Sequence, residues 1–153
     1  MMRTLSLWIA CGFGTGYSPK ASGTVGTLLG IPIVLAMQPL GLPLQITLCV
    51  ALVLFATPVC DVAEKHFGTK DDGRVVADEY LIFPICMLGL PTDVWVLAMA
   101  FLVARVLDVI KPPPARQLQA VRGGLGIVVD DVVSTIYALA VNHALYTLLA
   151  QWL

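Results

Sequence analysis

Four apolar stretches leave this chain few ways to fold: they run over about residues 25–37, 44–59, 80–109 and 132–153. The third is longer than the roughly 20 residues that one membrane span requires. Gly89-Leu90-Pro91 interrupts it, so it predicts a helical hairpin and brings the expected helices to five. Pro32 inside the first stretch, and Pro39-Leu40-Gly41-Leu42-Pro43 after it, predict short or kinked helices. Bundles tolerate these where neighbouring helices satisfy the freed backbone groups. The 153 residues are 58% hydrophobic and 12% charged, against roughly 45–50% and 25% in an ordinary soluble domain. The expected fold is therefore all-α: a single domain over 1–153, an integral membrane bundle of about five helices. A net charge of −1, with no Lys/Arg cluster to follow a phosphate backbone, excludes nucleic acid as a partner.

Cys11, Cys49, Cys60 and Cys86 have no C-x-x-C spacing and lie mostly in or beside apolar runs, so they are expected to be buried free thiols. Arg3 followed by Leu5 to Cys11 faintly resembles a signal peptide. The apolar run is short, however, and passes into Gly12-Phe13-Gly14-Thr15-Gly16 with no convincing cleavage site, so it is expected to stay with the chain.

Five helices alternate sides, so segments 1–24, 60–79 and 110–131 should emerge on one face. Eight of the nine basic residues fall there: Arg3, Lys20, Lys65, Lys70, Arg74, Lys111, Arg116 and Arg122. The loops around Gly41 and Pro91 carry no Lys or Arg, and the positive-inside rule then places the charged face in the cytoplasm.

All ten acidic residues lie between Asp61 and Asp131, nine of them clustered as Asp61/Glu64, Asp71-Asp72, Asp78-Glu79, Asp108 and Asp130-Asp131. Charges beside apolar spans are expensive and usually functional. Asp71-Asp72-Gly73 is expected to be a turn. Asp78-Glu79 stands at the start of a helix, where the dipole alone favours carboxylates. Arg105, Asp108 and Lys111 are three residues apart, close to one helical turn, and a self-neutralising bridge is the alternative to a site there. Lys111-Pro-Pro-Pro114 should end the helix. Gly123-Gly124-Leu-Gly126 then makes a second turn, with Asp130-Asp131 opening the last helix. Carboxylates recurring at helix starts on one face suit Mg²⁺, which takes oxygen ligands and shares them with substrate phosphate. The glycine-rich opening from Gly12 to Thr27 can cradle a phosphate with Lys20, and Thr24 or Ser22 can cap the helix after it; a plain turn and cap fits it as well.

Other phosphatase chemistries are missing from the sequence. No cysteine has Arg six positions later, no D-x-D nucleophile motif occurs and no S-G-H signature is present, so covalent Cys, Asp and His routes are not expected. His143, in the last apolar helix, is expected to be packed or paired, and His66 to be solvated.

The segments Gly14-Thr-Gly-Tyr-Ser-Pro-Lys-Ala-Ser-Gly-Thr-Val-Gly-Thr27, Asp78-Glu79, Ala104-Arg-Val-Leu-Asp-Val-Ile-Lys-Pro-Pro-Pro114 and Gly123-Gly-Leu-Gly-Ile-Val-Val-Asp-Asp131, in this order, resemble the phosphatidylglycerophosphatase A family. The resemblance covers roughly residues 12–140. It implies a Mg²⁺-dependent enzyme of the bacterial inner membrane that converts phosphatidylglycerophosphate to phosphatidylglycerol in phospholipid biosynthesis. Carried over by motif, Asp78, Glu79, Asp130 and Asp131 are the expected catalytic residues. Those four and Asp108 are the expected metal ligands, and Lys20, Thr24, Arg105 and Lys111 are expected to hold the phosphate. Three departures concern packing: Ser22 replaces a usual proline, Tyr80-Leu-Ile-Phe follows Glu79, and Ser134-Thr135 replace a usual Ala-Gly. Two further readings stay open, a small ion transporter or channel subunit and a non-catalytic family member. The sequence gives no oligomeric state.

Overall fold

The computed structural model of the chain describes residues 2–70 and 72–151. Among these are eight α-helices and no strand: α1 (Met2–Ala10), α2 (Ser22–Thr27), α3 (Gly30–Met37), α4 (Leu42–Phe67), α5 (Ala77–Ile82), α6 (Val94–Ile110), α7 (Ala115–Leu118) and α8 (Gly124–Leu149). Gly12–Tyr17 and Phe83–Met87 form 3-10 turns. The chain is all-helical as expected, but its helices are more numerous and less regular than five. Two of them, α4 and α8, are long and apolar enough to cross a membrane, with 26 residues each, or about 39 Å at 1.5 Å per residue.

The first apolar stretch breaks at Leu28-Leu29 into α2 and α3, so Pro32 falls in the first turn of α3, where its missing N–H is not needed. The first arm of the expected hairpin is only α5 running into the 3-10 turn at Pro84. Helix α4 continues past the apolar run, carrying Asp61 and Lys65 as an i,i+4 pair at 2.5 Å, and stops at Gly68 with φ 69°. Asp72-Gly73-Arg74 does make a turn, with Asp72 Oδ1 accepting from the Arg74 amide at 3.0 Å; Asp71 lies outside the described residues.

One apolar cluster joins α1, α4, α5 and α8, including Ala10, Ala56, Cys60, Val76, Ile82 and Val128. A second joins α3, the Phe83–Met87 turn, α6 and α8. All four cysteines are buried free thiols. Helix α1 packs into the first cluster, where Ala10 O accepts the Val76 amide at 2.8 Å and Tyr80 Oη donates to Ile9 O at 3.0 Å. Tyr80, one of the departures noted above, thus ties α1 to α5.

The segment expected to be a turn, Gly123 to Gly126, is instead the start of α8. Gly123, with φ 81°, precedes it, and Gly124 lies on the backbone of α4: a Cβ there would stand 2.0 Å from Thr57 O and 2.5 Å from Asp61 N. A methyl group at this crossing has no room, because both atoms belong to a helical backbone. Gly124→Ala should therefore cost about 1–3 kcal/mol or more by overpacking, seen as a lower Tm in detergent. An unchanged Tm would show that α4 and α8 do not need so close an approach.

Candidate active site

Helix α5 is buried on most of its surface, between α4 and α8 with α2 and α3 against it. Its first turn carries Asp78 and Glu79, and carboxylates so placed need partners to offset lost hydration. Glu79 Oε2 accepts from Arg105 Nη1 of α6 and from Thr27 Oγ1 of α2, the latter at 2.7 Å. Arg105 Nη1 also lies 3.2 Å from Thr27 Oγ1 and 3.1 Å from Asp108 Oδ2. The Thr27 hydroxyl is 2.8 Å from Gly23 O as well, so its single proton serves one acceptor or the other. Burial pushes the Glu79 carboxyl up from its ordinary value, against the pull of Arg105 and Thr27. Gly23 permits this contact between α2 and α5, because a Cβ there would stand 2.0 Å from Glu79 Oε1.

The triple proline ends α6 at Ile110, as expected, and Lys111 takes a left-handed conformation with φ 48°. Its Nζ contacts Asp130 Oδ2, and lies 3.2 Å from Asp131 Oδ1 and 3.7 Å from Asp108 Oδ1. Burial works against this charge, yet Asp131, Asp130 and Asp108 together hold the ammonium above its ordinary value. Asp130 and Asp131, expected to open α8, instead sit in its second turn, 1% and 6% exposed. The correction follows from the glycines, which begin the helix earlier.

A cavity of about 160 Å³ is lined by Asp78, Glu79, Asp108, Lys111, Asp131 and Ser22, together with Gly73 and Val75. A smaller one of about 20 Å³ lies among Thr27, Glu79, Arg105, Asp108, Asp131 and Thr135, large enough for one water with several polar partners. The Thr135 hydroxyl donates to Asp131 O at 2.7 Å, so this departure adds polarity beside the site.

Seven expected site residues come together here: Asp78, Glu79, Arg105, Asp108, Lys111, Asp130 and Asp131. Lys20 is exposed on the loop before α2, and Thr24 is half-buried within that helix. Neither Ser22 nor Thr24 caps α2; Ala21 occupies that position with φ 48° and no side-chain cap bond, while Ser22 Oγ donates to Gly73 O at 2.6 Å. Thr27, which sequence reasoning passed over, reaches Glu79. Its one signal was position, four residues beyond Gly23 on the same helix. His143 is exposed but paired with Leu88 O at 2.9 Å, and exposed His66 lies 2.9 Å from Arg3 Nη2. Among the described residues, no three His, Cys, Asp or Glu side chains converge into a ready-made metal cage.

The sequence model of phosphatidylglycerophosphatase A matches residues 8–146. Phosphatidylglycerophosphatase A of Escherichia coli K12 is 34% identical over 142 residues, covering 88% of this chain and 80% of the relative. The Haemophilus influenzae protein of the same name is 33% identical over 90% of this chain and 86% of its own length. A putative phosphatidylinositol-3-phosphatase of Bacteroides thetaiotaomicron is 35% identical over 88% of this chain and 89% of its own length. No solved structure matches. With the matched region running from α1 to near the end of α8, the chain belongs to the phosphatidylglycerophosphatase A family of phosphatase enzymes.

Proposed function

We propose that the protein is a Mg²⁺-dependent phosphomonoesterase that removes the terminal phosphate of phosphatidylglycerophosphate, leaving phosphatidylglycerol, at the cytoplasmic face of the bacterial inner membrane. The observation that carries this reading is the cavity of about 160 Å³ where carboxylates from three helices meet Lys111 at one end of an apolar bundle. Four carboxylates and Lys111 line it, with Asp130 and Arg105 paired to them, in a place largely withdrawn from water, so the donor set fits a divalent cation. Mg²⁺ takes oxygen ligands and needs only one or two carboxylates beside waters and substrate phosphate, which accords with the lack of a closed cage among the described residues. Asp78, Glu79, Asp108, Asp130 and Asp131 are the residues that would hold it. When bound, the ion neutralises phosphate charge and polarises a water.

Arg105 and Lys111 then bind the phosphoryl oxygens, and their carboxylate neighbours hold both cations in place before substrate arrives. Asp78 or Asp131 takes the proton from the attacking water. Trp8 and Tyr17 near the site, and the Trp95–Tyr146 stack (centroids 5.8 Å apart) toward the far ends of α6 and α8, fit aromatic belts at two membrane interfaces.

The test is phosphate release by detergent-purified protein from phosphatidylglycerophosphate, phosphatidic acid and phosphatidylinositol 3-phosphate, each with Mg²⁺ or EDTA. Release from the first lipid alone, lost with EDTA and restored by Mg²⁺, is the expected result. Turnover of the inositol lipid alone would shift the substrate assignment toward that of the Bacteroides relative. Turnover undiminished by EDTA would remove the metal. A folded protein inactive on all three lipids would favour the non-catalytic reading, and ion flux in proteoliposomes without turnover the transporter.

A further inference from the structure

The 3-10 turn Gly12–Tyr17 bends where most residues do not: Phe13 has φ 55° and Gly14 φ 105°. For a bulky aromatic this is a strained backbone, and such strain persists at functional positions. Packing does not explain it, because the Phe13 ring is 60% exposed, with Trp8 at 58% and Tyr17 at 60% beside it. Leu7, Trp8, Cys11, Phe13, Gly14 and Tyr17 surround a predominantly apolar cavity of about 300 Å³. That volume falls in the range of small-molecule sites, and its lining suits hydrocarbon.

The turn that borders this cavity packs on a stretch of backbone that lines the polar one. Gly16 lies against Arg74 O, from which a Cβ would stand only 2.0 Å away, and Ser22 Oγ bonds Gly73 O. Gly73 and Val75, on either side of Arg74, line the polar cavity. The backbone at 73–75 thus lines the acidic chamber and, through Gly16, carries the turn whose neighbours Gly14 and Tyr17 border the aromatic cavity.

We propose that the aromatic cavity is an acyl-chain subsite for the same lipid whose phosphate occupies the polar cavity, with Trp8, Phe13 and Tyr17 gripping the chain nearest the glycerol. This rests on the phosphatase reading above and adds where the substrate's hydrocarbon is held. It explains why a strained turn presents an aromatic outward, and why that turn is packed so tightly against the wall of the polar site.

Phe13→Gly tests it, because glycine removes the ring and relieves the backbone, so folding is kept. The expected result is a KM at least about tenfold higher for a long-chain lipid phosphate, from lost apolar contact, with kcat unchanged and a water-soluble short-chain analogue unaffected. Unchanged KM for the long-chain lipid, or an equal rise for both substrates, would overturn the proposal. A second readout needs no turnover: in Trp95→Phe/Trp152→Phe protein, a lipid phosphate brominated near the acyl carboxyl end should quench Trp8 fluorescence in detergent. Unbrominated lipid should reverse the quenching, and Phe13→Gly should weaken it. Quenching that unbrominated lipid does not displace would refute the subsite. If the unsubstituted protein releases no phosphate from any lipid, the phosphatase reading fails, and the fluorescence titration still decides whether this cavity holds a chain.

Discussion

Lys111→Met is expected to cost about 3–5 kcal/mol of stability and to abolish turnover, because it strips the counter-charge from carboxylates largely withdrawn from water. The Lys111 ammonium touches Asp130, which is 1% exposed, and stands 3.2 Å from Asp131, which is 6% exposed. Methionine keeps much of the length of the stem and loses the charge, so the cost reports electrostatics more than packing. Adding Asp130→Asn to Lys111→Met should restore part of the lost stability and none of the activity. Thermal unfolding in detergent checks both variants. A Lys111→Met protein that melts with the unsubstituted one would show that the ammonium does not hold this cluster together.

The amide variants Asp78→Asn and Asp131→Asn should act in the opposite sense on stability. Five carboxylates share the site with two cations, so removing one negative charge relieves repulsion while leaving shape almost unchanged. Turnover should fall about 10²–10⁴-fold, the range for loss of a positioned proton acceptor. The protein should remain folded, with a Tm no lower than that of the unsubstituted chain. Full activity in both variants would remove these carboxylates from the chemistry. A collapse of folding in both would make the cluster structural.

Much of the site was legible in the sequence because charge is costly beside apolar helices and therefore stands out. Asp78-Glu79, the Arg105/Asp108/Lys111 series and Asp130-Asp131 were each visible as polar interruptions of apolar text, and the fold gathers them. Thr27 was not, since a threonine at the end of a glycine-rich segment looks like any helix residue until Glu79 and Arg105 are placed against it. Lys20 shows the converse: its charge drew attention, but it is exposed on the loop before α2. Element ends were misjudged for a related reason. The apolar run ends at Val59, but backbone hydrogen bonding carries α4 on to Phe67, and α8 begins at glycines that read as a turn.

Hydropathy along the chain was enough to determine an all-helical, membrane-suited protein, and its charge pattern determined which residues would share one end. Both depend on the transfer of side chains out of water, which is a property of composition and order. Only the tertiary structure decided that α5 would be a short buried helix at the centre of the site, that Gly23 and Gly124 would mark the closest helix contacts, and that Lys111 would lie among Asp108, Asp130 and Asp131. These follow from how closely two backbones approach and which way a chain turns after proline. Such distances arise between residues far apart in sequence, where no local pattern records them.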